Sequence, residues 1–104
     1  MSSRDPFEAL ADPTRRAILE LLRDGEHSVE ELASGLPVSR PAVSRHLRLL
    51  KEAGLVTSEA RGTRRLYSLH EAGVEEARAF LAGVWGEAAT RFRIAAENTR
   101  GRKR

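Results

Sequence analysis

Five side chains between positions 40 and 51 are of the types that recognise a polyanion: Arg40, Ser44, Arg45, Arg48 and Lys51. Steps of three and four residues link them, so in a helix they share an outer face with four positive charges and no acid before Glu52. Such a face suits a DNA major groove, where guanidinium forks reach guanine edges and hydroxyls reach phosphates. Ser39, Arg40, Ser44, Arg45 and Arg48 are the candidates to read or flank bases, and Lys51 to hold a phosphate. A solvated basic surface is the other reading of this helix, and its neighbours must decide between them.

The elements that would position this face can be read from local chemistry. Ser39 is an N-cap and Pro41 fits the first turn, where its missing N–H has no intrahelical partner. Val43, Leu47 and Leu50, widened by Ala42 and Leu49, form the opposite, core-facing stripe, and Gly54 supplies the left-handed stop. Upstream, Ser28 and Glu31 have capping-box spacing before Leu32 and Leu36, and Leu36-Pro37-Val38 leads straight to Ser39. Two short helices joined this tightly are a helix-turn-helix.

Downstream, residues 55–60 and 64–69 are β-rich runs around Arg61-Gly62-Thr63, which predicts a hairpin with Val56, Tyr67 and Leu69 turned towards the helices. Arg61, Arg64 and Arg65 gather at its tip, as in a wing that lies along a phosphate backbone or enters a minor groove. Asp12 and Pro13 open an earlier helix whose stripe is Ile18, Leu21 and Leu22. Arg15 and Arg16 sit in its first turn, where cations are unfavourable, and are candidates for phosphate contact as well as for ordinary surface positions.

The last predicted helix, 71–98, places Val74, Ala77, Leu81, Val84 and Ala88 at alternating three- and four-residue steps, with Phe80, Trp85, Phe92 and Ile94 widening the apolar surface. A domain this small cannot cover that surface from one side. The expected interface therefore joins this helix, with Phe7 and Leu10 of a first helix at 5–11, to a second copy of the chain. A long core helix folded back on its own domain is the alternative. The expected architecture is mainly α with a β-hairpin wing: a winged helix-turn-helix of about five helices occupying 1–98, with a basic, disordered tail at 99–104.

Composition narrows the function. In 104 residues there is no cysteine, which removes disulfides, thiolate metal sites and cysteine nucleophiles and suits a reducing cytoplasm. No apolar run approaches the roughly 18 residues of a membrane span. The net charge is +3, yet residues 39–65 hold seven basic side chains against two acids, while the residues before 39 hold four against eight. That asymmetry points to a polyanionic partner for the middle of the chain. His27, His46 and His70 are scattered, and zinc wants three or four ligands, so no metal or other cofactor is expected. No nucleophile–base pair or phosphate loop supports an enzyme.

Four stretches in order, residues 7–19 (FEALADPTRRAIL), 39–47 (SRPAVSRHL), 50–56 (LKEAGLV) and 61–67 (RGTRRLY), closely resemble the ArsR/SmtB family of bacterial winged-helix repressors. The resemblance spans roughly 7–92. It implies a dimer paired through the first and last helices, binding an imperfect palindrome and repressing transcription, often of its own operon. The family's metal sensors carry cysteines in the third helix, where this chain has Glu31-Leu32-Ala33-Ser34-Gly35, or His and acidic ligands in the last, where no histidine follows His70. The likeness is to the metal-independent branch. It also implies a packing or phosphate-contact role for His46, and Arg45 stands where relatives commonly have Gln. Two other functions fit the residues: a winged-helix protein-interaction module, and a repressor with a small-molecule effector near Trp85.

Overall fold

The computed structural model describes residues 5–102, with side chains at 5–86 and 91–97. The elements are α1 (Pro6–Ala9), α2 (Pro13–Leu21), a 3-10 turn (Leu22–Asp24), β1 (His27–Ser28), α3 (Val29–Ser34), α4 (Arg40–Glu52), β2 (Val56–Arg61), β3 (Arg64–Leu69) and α5 (Glu71–Arg102). They form two compact units, one ending at Val74 and one beginning at Glu75.

Caps start the helices of the first unit. Asp12 Oδ1 accepts from the N–H groups of Thr14 and Arg15 at 2.7 and 3.2 Å. Burial pushes the Asp12 carboxyl up, but those N–H groups, with the charges of His46 and Arg15, outweigh it and hold the carboxyl below its ordinary value. Ser28 Oγ accepts from Glu31 N–H at 3.2 Å while Glu31 Oε1 accepts from Ser28 N–H at 2.8 Å, completing the capping box. Ser39 Oγ accepts from Ala42 N–H at 3.3 Å. At the far end of α4, Gly54 takes φ 80°, the left-handed stop expected of it.

Behind the caps lies one core of Ile18, Leu22, Leu32, Val43, Leu47, Leu50, Leu55 and Val56, each at most 2% exposed. Transfer of such side chains from water is worth about 1.5–3 kcal/mol apiece, so this cluster holds α2, α3, α4 and the hairpin together. The buried row Val43, Leu47, Leu50 leaves Ser44, Arg45, Arg48 and Lys51 outside.

The wing is the antiparallel pair β2–β3, in register from Val56↔Leu69 to Arg61↔Arg64. Its two-residue turn has Gly62 at φ 65°, a sign that costs a side chain but not glycine. A third strand was not expected. His27 and Ser28 pair with Tyr67 and Leu66, giving the sheet order β1-β3-β2, so Ser28 is both a strand residue and the cap of α3.

Two helix boundaries differ from expectation. The first helix is a single turn whose buried residue is Ala9, with Phe7 on the outside. Helix α5 runs to Arg102, past the boundary expected at 98, with no proline to interrupt it. Residues 103–104 of the expected tail lie outside the described residues.

Candidate nucleic-acid interface

Helix α4 and strand β3 face each other across an open cavity of about 660 Å³ lined by Pro41, Ser44, Arg45, Arg48, Lys51, Arg65 and Tyr67. Four of these are cations. Among the described residues, no carboxylate lies within ion-pair distance of Arg45, Arg48, Lys51 or Arg65. Lys51 Nζ and an Arg65 guanidinium nitrogen instead donate to one hydroxyl, Ser58 Oγ, at 2.9 and 3.1 Å. Ser58 thus ties the last turn of the helix to the wing. It was missed in the sequence, although period-two alternation from the buried Val56 puts it on the same face of β2.

The other arginines of this region are compensated. Arg40 meets Glu30 at 2.9 Å, Arg64 meets Glu31 at 3.3 Å, and Arg61 meets Glu26 at 2.9 Å and Glu59 at 3.3 Å. The Glu30 carboxyl is held below its ordinary value by its own backbone N–H and then by the Arg40 charge, and that of Glu31 by the Ser28 N–H and then by Arg64. Glu26, with Glu59 behind it, raises Arg61 further. Three of these acids come from the short stretch around β1, to which the sequence reading gave no part in the site.

Arg15 and Arg16, the candidates for phosphate contact on α2, each bond a backbone carbonyl at the end of α1. The Arg15 side chain is only 15% exposed, and its Nε donates to Ala9 O at 2.7 Å. A guanidinium nitrogen of Arg16 donates to Leu10 O, also at 2.7 Å. Both answer carbonyls left open where α1 ends, which accounts for cations in the first turn of α2. His46 is half-buried, with Nδ1 3.3 Å from Arg15.

The residues expected at a dimer interface fall in both units. In the first, Leu10 and Val74 are half-buried and line, with Leu19 and Leu69, an apolar cavity of about 300 Å³, while Phe7 is at the surface. In the second, Ala77 is buried, whereas Leu81, Val84, Trp85 and Phe92 are exposed, Trp85 by 73% and Phe92 by 77%. The side chain of Ala88 lies outside the described residues.

Two short helices at a tight turn, the second presenting a cationic outer face beside a β-hairpin, define a winged helix-turn-helix protein. Comparison with known proteins agrees: a helix-turn-helix domain family matches residues 10–59. The HTH-type transcriptional regulator Rv2034 of Mycobacterium tuberculosis is 51% identical over 86 residues, covering 83% of this chain and 80% of that protein. The transcriptional repressor SdpR of Bacillus subtilis is 39% identical over 64 residues, 62% of this chain and 71% of that one. Among solved structures, the homodimeric winged helix-turn-helix DNA-binding domain Mb0332 of Mycobacterium bovis, a possible ArsR-family transcriptional regulator, superposes with a TM-score of 0.64 at 34% identity, covering 78% of this chain and 75% of that one. An ArsR family transcriptional regulator, RHA00566, superposes with a TM-score of 0.70 at 31% identity over 80% and 91% of the two chains. The chain belongs to the ArsR/SmtB family of winged helix-turn-helix transcriptional regulators. Among the described residues, no helix is long and apolar enough to cross a membrane.

Proposed function

We propose that this chain is a cytoplasmic, homodimeric repressor that binds double-stranded DNA at an imperfect palindrome and acts without a metal or other cofactor. The observation that carries the reading is the groove of Arg45, Arg48, Lys51 and Arg65 beside Ser44, cationic without a compensating acid among the described residues. Helix α4 enters the major groove with Ser44, Arg45 and Arg48 towards base edges, flanked by Ser39 and Arg40. Lys51 and Arg65 hold the backbone, with Arg61 and Arg64 beyond them on the wing. Two copies pair through α1 and α5, setting their recognition helices about 34 Å apart, one turn of DNA. The exposed apolar face of α5 and the homodimeric relative support that pairing.

The test is fluorescence anisotropy with a labelled fragment of the protein's own promoter and a scrambled duplex, at several salt concentrations. Preference for the promoter by about 10³-fold or more identifies a specific, self-regulating repressor. Lys51 and Arg65 of a dimer neutralise four phosphates, so log K falls against log salt with a slope of roughly −4 or steeper. A slope near zero overturns the reading and moves the weight to a protein-interaction module. A small-molecule effector would report itself through Trp85, the sole tryptophan.

A further inference from the structure

We propose that Glu26 and Glu30, with Glu31, set the selectivity of the DNA face by occupying three of its arginines until correctly placed phosphates displace them. This inference rests on the DNA-binding reading above and concerns how that face rejects the wrong duplex.

The three acids lie within six consecutive positions around β1, and each holds an arginine from a different element. Glu26 takes Arg61 at the end of β2, Glu31 takes Arg64 at the start of β3, and Glu30 takes Arg40 at the first turn of α4. The DNA face is thereby divided. The groove between α4 and β3 has four uncompensated cations, whereas the strip beside it has three arginines each held by one of these acids, Arg61 being held by Glu59 as well.

All six side chains of the strip are between 42% and 64% exposed, so these pairs contribute little to holding the fold and exchange readily. Their effect is on what approaches. A phosphate arriving at Arg61 or Arg40 must displace a carboxylate and bear its repulsion, which makes a loose encounter less favourable. A duplex that seats α4 fully brings phosphates to fixed positions, and the arginines can pass from carboxylate to phosphate in one step. The acids therefore weaken nonspecific binding more than specific binding.

The experiment compares the full-length protein with Glu26→Gln, Glu30→Gln and the double variant. Glu31 is left intact because it also caps α3. Binding is measured by anisotropy on the tightest duplex the wild type selects from a random pool and on its scramble, across a salt series. The double variant should bind the scramble tighter by roughly two- to fivefold for each acid removed. It should gain less on the selected duplex and steepen the salt slope on the scramble by about one unit, because Arg40 is released outright while Arg61 keeps Glu59. In an Arg40→Gln background, Glu30→Gln should lose most of its effect, because the acid acts through that arginine.

Wild-type binding without salt dependence overturns the DNA reading and this inference with it. Normal wild-type binding with superimposable variant curves overturns this inference alone. So does equal tightening on both duplexes, or a Glu30→Gln effect that survives in full without Arg40.

Discussion

Replacing Gly73 by alanine sets two effects of opposite sign against each other. Gly73 sits in the first turn of α5, where helix propensity alone favours alanine by about 1 kcal/mol. A Cβ there would overlap the Gly54 carbonyl oxygen, lie 2.9 Å from the Gly54 carbonyl carbon, and come 3.2 Å from His70 Nδ1. The obstacle is backbone and is pinned on both sides. Gly54 N–H donates to Lys51 O at 3.0 Å, Leu55 N–H to Leu50 O at 3.0 Å, and His70 N–H to Leu55 O at 2.9 Å. Overpacking of this kind costs about 1–3 kcal/mol. Separating the helix from the turn also strains the His70 Nδ1 contact with Gly54 O, now 2.9 Å, worth about 1 kcal/mol more. The balance is a loss of about 1–3 kcal/mol, or a melting temperature lower by roughly 5–20 °C for a domain this size. Circular dichroism melts at one fixed protein concentration measure it, because a dimer's midpoint shifts with concentration. An unchanged or higher midpoint would show that the Gly54–Gly73 approach relaxes at little cost and that propensity governs the position.

Three further outcomes are expected. Asp12→Ala removes the α2 cap and should cost about 1 kcal/mol at neutral pH by urea denaturation. Because the folded Asp12 carboxyl titrates below its ordinary value, its contribution is full above about pH 4–5 and fades as the pH falls through the folded value. The gap between wild type and variant should therefore narrow at pH 3, and a gap that widened there would contradict the cap. Arg45→Ala should cost about 1–3 kcal/mol on cognate DNA and relax base preference, whereas Lys51→Ala should weaken cognate and scrambled duplexes alike; identical profiles for the two would erase the division between reading and holding residues. Leu81→Glu puts a charge on the exposed apolar face of α5 and should halve the sedimenting mass at micromolar concentration, so an unaltered mass would place the interface elsewhere.

What could be read from the sequence was local. Asp12, Ser28 and Ser39 cap the helices expected of them because an N-cap needs only its own next three residues. The same holds for the row Val43, Leu47, Leu50, and for Gly54, whose left-handed φ follows from its place just past α4. The rest depended on distant partners. Strand β1 is two residues long and has no alternation to detect, and it exists because Leu66 and Tyr67 lie beside it. Arg61 and Glu26 are 35 positions apart, so a count of charge along 39–65 treats as open an arginine already paired. For Arg15 and Arg16 the unfavourable place of a cation at a helix start was visible, while the carbonyls of Ala9 and Leu10 to which they donate were not. Gly73 attracted no notice, since its reason lies 19 positions back at Gly54.

Ser28 has one more consequence, which is mechanical. It is 1% exposed, paired with Leu66 of β3 through its backbone, and joined to Glu31 through both ends of the capping box. It joins the hairpin to the start of α3, and α3 leads within five residues to the cap of α4. One buried residue thus connects the wing, through α3, to the turn that precedes α4.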